Sequence, residues 1–153
     1  MNNIINPNKV TIAVYVNGVI ISPPNTGGWG IYAKSSDNTA LQFSGYHPDS
    51  TSNRMELTAA VYAIKKLASN NHLNIISNSK YLIDGMNRWI DNWVKNDWKN
   101  SQGKPVLNKD LWKQLDSLNQ QHSVSWTWIS TKDGSHGSKM AYKLAHKYQS
   151  RRR

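Results

Sequence analysis

The chain has 153 residues, no cysteine, and 19 Lys and Arg against 9 Asp and Glu, a formal charge of +10. This length fits one domain with a sizeable core, the missing thiols exclude disulfides and thiolate metal sites, and the charge favours a polyanionic partner or an acidic surface. The start has no basic stretch followed by an apolar one, and no run approaches about 20 apolar residues, so secretion and membrane spanning are disfavoured and a cytoplasmic location is expected.

Val10 to Val16 alternates β-branched and aromatic side chains and predicts a strand; Gly18 and then Pro23-Pro24-Asn25 break the run before Gly27-Gly28-Trp29-Gly30. Extended runs over Trp29–Ala33 and Ala40–Tyr46, parted by the polar turn Ser35-Ser36-Asp37-Asn38, complete three successive antiparallel strands. From Asn53 to Ala68 the spacing turns helical, with Leu57, Ala60, Ile64 and Leu67 on one face. Asn53 followed three residues on by Glu56 has the form of an N-cap with a returning acid. Leu73–Ser77 predicts a short strand, Lys80–Val94 a helix, Asn108 the cap of a helix through Leu118, Val124–Ile129 a strand and Ser138–Tyr148 a last helix. A strand reached through a crossover helix pairs in parallel, so the expected fold class is α/β: a mixed five-stranded sheet, three antiparallel strands then two parallel ones, flanked by helices. The expected domain spans 10–148, between a flexible N-terminus at 1–9 and a basic tail at 149–153.

The segment Ser52-Asn53-Arg54-Met55-Glu56-Leu57 resembles the start of the first helix of type 1 ribonuclease H. The stretch from Trp89-Ile90-Asp91-Asn92-Trp93 through Trp98-Lys99 and Lys104-Pro105-Val106 to Asn108-Lys109-Asp110-Leu111-Trp112 resembles that family's basic protrusion, as found in the bacterial ribonuclease HI type, in order and spacing. Gly27-Gly28-Trp29-Gly30, Ser79-Lys80-Tyr81 and Trp126-Thr127-Trp128 extend the likeness in register over roughly residues 10 to 148. The resemblance implies a ribonuclease H-like fold and cleavage of the RNA strand of an RNA/DNA hybrid by two Mg²⁺ ions. Such ions need hard oxygen ligands, several carboxylates converging on one spot.

Three of the family's four carboxylate positions depart from that pattern. The first-strand acid falls on Asn17, the fourth-strand acid on Asn78 and the last-helix acid on Tyr142; the first-helix acid is retained as Glu56. The family's loop histidine falls near Lys132. Asn keeps the shape and carbonyl of Asp without its charge, a phenol binds Mg²⁺ poorly, and a Lys brings a cation where the family uses a proton shuttle. One remaining acid cannot offset the mutual repulsion of two dications, so no metal cofactor is expected. Mg²⁺ is expected only if Asp133 or His136 rebuilds the site.

What the resemblance implies for binding is better kept. Trp89, Trp93 and Trp98 interleave with Lys95, Lys99 and Lys104, where the family packs tryptophans together and lays basic side chains along phosphates, contacts that add affinity without reading sequence. Val94 and Asn96 replace two positions of its basic run. Thr51 matches a phosphate-holding position, and Asn53 and Lys80 match minor-groove contacts, whereas Ser52 and Pro23 replace groups that the family uses. Lys139, Lys143 and Lys147 form a basic stripe at four-residue spacing.

These features predict a catalytically inactive, monomeric ribonuclease H-like protein that binds RNA/DNA hybrid or duplex. Two other readings stand beside it: an active ribonuclease H with a rebuilt metal site, and a module or decoy that uses the fold to bind a protein partner.

Overall fold

The computed structural model describes residues 10–21 and 25–148; the expected flexible N-terminus, the basic tail and Pro23 lie outside them. Alternation in Val10–Ile21 makes strand β1, with Ile12, Val14 and Val16 turned into the core. Strands β2 (Thr26–Ser35) and β3 (Ala40–His47) continue it antiparallel. Strands β4 (Asn71–Ser77) and β5 (Ser123–Trp128) add parallel partners, so the sheet order is β3-β2-β1-β4-β5. This is the mixed five-stranded sheet expected from the sequence.

β1 does not break at Gly18. It runs on to Ile21, with Asn17 opposite Gly30 and Gly18 opposite Trp29. The glycine answers to packing: a Cβ there would lie 2.4 Å from the backbone nitrogen of Glu56, in helix α1 (Ser52–Leu67). The Gly27-Gly28-Trp29-Gly30 motif has a similar cause, split between the two faces of β2. A Cβ on Gly27 would strike the Met55 side chain, whereas Cβ atoms on Gly28 and Gly30 would lie 2.1 and 2.5 Å from the carbonyl oxygens of Ala145 and Ala141. Those two carbonyls belong to helix α5 (His136–Ala145), which packs on β2 and β1 from the face opposite α1. α5 starts earlier than expected because Ser135, not a later residue, caps it.

Local pattern misplaces one cap and misjudges how the other is held. The N-cap of α1 is Thr51, whose Oγ1 accepts from the Arg54 amide at 3.1 Å; Asn53 lies within the first turn, exposed. Helix α4 (Lys109–Gln121) does begin after Asn108, but that residue sits at φ 61° and makes no capping hydrogen bond. Its amide is drawn into a clasp instead: Arg54 donates to Asn108 Oδ1 at 3.1 Å and to both oxygens of Asp110 at 3.0 and 2.8 Å. The Asn108 amide also donates to the Tyr81 hydroxyl at 3.0 Å, as does the Trp112 indole at the same distance. The helix expected over Lys80–Val94 is three consecutive pieces: α2 (Lys80–Asp84), a π-helical turn (Gly85–Trp89) and α3 (Ile90–Lys95). The buried Trp112 ring lies on Gly85, where a Cβ would be 2.1 Å from its Cη2.

The core lies between the sheet and α1, α2 and α4, built from Val14, Ile31, Leu57, Ile64, Leu73, Ile75, Leu82, Trp112 and Leu115. Among the described residues no helix is long and apolar enough to cross a membrane.

Candidate functional site

Glu56 projects from α1 beneath β1, 6% exposed. Its Oε1 accepts the Gly18 amide at 2.9 Å, and the Ser77 hydroxyl at the end of β4 lies 3.4 Å from Oε2. The carboxyl therefore ties β1 to β4 across 38 and 21 residues of chain. It does not return to its own helix start, which corrects the capping role expected from Asn53. Burial pushes its pKa from the ordinary 4.5 up to about 8, against the lowering pull of the Gly18 amide and the Ser77 hydroxyl.

Asn17, within β1, and Asn78, the residue that follows β4, open onto a cavity of about 300 Å³ whose other walls are Thr131, Asp133, Ser138, Lys139, Tyr142 and Lys143. The structure thus gathers three of the singled-out residues, Asn17, Asn78 and Tyr142, with the two nearer lysines of the α5 stripe. Glu56 lines no wall of it. Lys132 lies between two lining residues but is itself exposed and outside the walls, and Tyr142 is exposed and stacked on His146 at 4.3 Å. His136 lies elsewhere, edge-on to Tyr32 at 5.4 Å on a separate cavity, so it does not rebuild the site. Asp133 does reach the cavity. The Ser135 hydroxyl and amide hold its carboxyl below the ordinary range, the amide donating to Oδ1 at 2.8 Å. Nothing in the local pattern marks Thr131 or Ser138 for this place; the seating of α5 on the β2 glycines brings Ser138 there, and the turn between β5 and α5 brings Thr131.

The fit to a pair of Mg²⁺ ions is poor on the chemistry of the donors. Lysine ammoniums offer no lone pair, and asparagine offers a neutral carbonyl. Among the described residues, no three His, Cys, Asp or Glu side chains group so as to hold a metal ion.

The tryptophan-rich region forms a ladder. Trp89 stands 5.9 Å from Trp93, Trp93 5.1 Å from Trp112, and Trp112 5.3 Å from Tyr81. Trp93 and Trp98 are partly buried against the core, while Trp89, Lys95, Lys99 and Lys104 are exposed. The indoles therefore hold the segment together and the ammoniums meet solvent. Thr51 is occupied as a helix cap. Lys80 sets its ammonium 5.0 Å over the ring of Trp128, an exposed indole whose Nε1 donates to the Asn78 carbonyl at 3.1 Å. The sequence marks Trp128 as a strand residue and as part of the family likeness, but not as the partner of Lys80, since a contact spanning β5 and α2 leaves no local trace.

The RNase H family model matches residues 8–150. A ribonuclease H of Francisella philomiragia subsp. philomiragia is 40% identical over 139 residues, 91% of each chain. Among solved structures, LC9-RNase H1, a type 1 RNase H with the type 2 active-site motif, superposes at TM-score 0.79 and 24% identity over 97% of this chain and 76% of that one. The foamy viral protease-reverse transcriptase in complex with an RNA/DNA hybrid superposes at TM-score 0.76 and 24% identity, over 97% of this chain and 22% of that chain. A family-model match over nearly the whole described chain, with a relative 40% identical over 91% of each chain, makes this protein a member of the RNase H family.

Proposed function

We propose that this chain binds nucleic acid, RNA/DNA hybrid or duplex, without hydrolysing it. The observation that carries this reading is the composition of the cavity. It has two amides, three hydroxyls and two ammoniums with one carboxylate, while the retained family acid, Glu56, is turned inward to Gly18 and Ser77. Two-ion hydrolysis needs several negative oxygens between which the ions sit, and a wall of donors opposes that arrangement. Binding has independent support. The formal charge is +10, Lys95, Lys99 and Lys104 are exposed in the tryptophan-rich segment, and the foamy viral protein that shares the fold is solved on an RNA/DNA hybrid.

One observation favours hydrolysis by a rebuilt site: Asp133 shares the cavity with Asn17 and Asn78, in a family whose members include enzymes named ribonuclease H. A gel-shift and cleavage assay on one end-labelled RNA/DNA hybrid, run in EDTA, Mg²⁺ and Mn²⁺, separates the two. Retardation in every lane with intact RNA is the expected result. Shortened RNA in a metal lane, lost on Glu56→Gln or Asp133→Asn, would establish the enzyme instead.

A further inference from the structure

Asn17 is 7% exposed, and its side-chain amide makes no hydrogen bond among the described residues. No described side-chain polar atom is both sealed from solvent and unpaired, so this amide meets solvent through the cavity that it lines. Such a group is held ready for a partner from outside, because a buried polar group left unpaired is unfavourable. The Asn78 amide, on the same cavity, also lacks a hydrogen-bond partner among the described residues. Across the cavity, Lys139 and Lys143 stand one helical turn apart on α5, and neither is paired with a carboxylate among the described residues. The hydroxyls of Thr131, Ser138 and Tyr142 fill the rim.

All of these groups donate hydrogen bonds, and two carry positive charge. The cavity volume of about 300 Å³ is at the lower end of the range of small-ligand pockets. The one negative wall group, Asp133, turns Oδ1 back to the Ser135 amide. Resting on the nucleic-acid-binding reading above, we propose that this cavity is a metal-independent seat for a backbone phosphate of the bound nucleic acid, gripped by Lys139 and Lys143 with the amides of Asn17 and Asn78. Carboxylates at 17 and 78 would repel a phosphate unless cations stood between; amides accept it directly. The departures at 17, 78 and 142 are thereby parts of one binding site, in which protein ammoniums take the place of metal charge.

The test uses the full chain and a fluorescein-labelled RNA/DNA hybrid, with Kd measured in EDTA and in Mg²⁺ at matched ionic strength. Wild type should bind equally in both, within about twofold, since no bridging ion is needed. Lys139→Ala/Lys143→Ala should bind about tenfold more weakly and lower the slope of log affinity against log salt by about one, the share of one phosphate contact. Lys65→Ala/Lys66→Ala, the same charge change on exposed positions of α1, should leave the affinity near wild type. Asn17→Asp/Asn78→Asp should weaken binding in EDTA by about tenfold and recover on adding Mg²⁺, and Asp133→Asn should tighten it. If wild type binds but the α5 pair behaves like the α1 pair, or if wild-type binding itself requires Mg²⁺, the seat is overturned while the binding reading stands. If wild type shows no affinity for the hybrid at low salt, both readings fail together.

Discussion

Glu56→Gln should stabilise the protein at neutral and alkaline pH, by an amount that grows with pH up to about 8. The folded carboxyl is pushed up to about 8 by burial, while the unfolded chain releases its proton near 4.5. Below about 4.5 both states hold the proton and the group contributes nothing to the balance. As pH rises the unfolded chain ionises first, so stability falls through the window up to about 8 and levels off once the folded carboxyl also ionises. At about 1.4 kcal/mol per decade, the loss between about pH 5 and pH 8 is roughly 3 to 4 kcal/mol. Gln keeps a carbonyl for the Gly18 amide and sets its own NH₂ toward the Ser77 oxygen, so the neutral arrangement survives without the ionisable group. Asp110, held low by its hydrogen bonds to Arg54, acts with the opposite sign and only at more acid pH, outside this window. Urea titrations of both proteins across the window give the answer: the wild-type midpoint should fall with pH and the variant's should fall much less. A constant gap, or a wild type that gains stability with pH relative to the variant, would refute the claim that Glu56 is buried in neutral form.

Three further outcomes follow from the packing and the donor set. Trp112→Ala removes a fully buried indole, its hydrogen bond to Tyr81 and its ring contacts with Trp93 and Tyr81, and should cost about 3 to 5 kcal/mol in urea unfolding. Gly30→Ala places a methyl 2.5 Å from the Ala141 carbonyl and must lift α5; a loss of about 1 to 3 kcal/mol with weakened hybrid binding is expected, and wild-type affinity would show that α5 does not set the site. Millimolar Mg²⁺ should leave the melting temperature unchanged beyond the effect of Ca²⁺ or added NaCl at the same ionic strength, whereas a saturable rise specific to Mg²⁺ or Mn²⁺ would reveal a bound ion.

The sheet and its helices were legible because alternation and helical spacing are local, and the crossover rule then orders the strands. Several of the differences concern partners distant in sequence. Asn53 and Glu56 satisfy a capping pattern three residues long, yet the nearby Thr51 takes the cap and Glu56 finds Gly18 and Ser77. Asn108 suits an N-cap by type, but Arg54 and Tyr81 compete for its amide and win. Gly18 reads as a turn residue and is instead the point where a strand touches a helix backbone. The basic spacing of Lys139 and Lys143 was visible in the sequence; the direction in which it faces was not, because that depends on how α5 lies across β2. The family resemblance supplied positions 17, 78 and 142, which composition and periodicity alone do not single out.

The two glycines under α5 have a bearing on how mutable this protein is. Where helix carbonyls rest directly on strand backbone, the height of the helix is set by main-chain atoms with no rotamers to readjust. The lysines carried on that helix are levelled by this hard stop, on the side of the sheet away from the large apolar interior. Volume-conserving exchanges among Leu73, Leu82 and Leu115 can therefore drift over generations with little effect on where those charges stand, leaving the α5 side insulated from turnover in the hydrophobic layer.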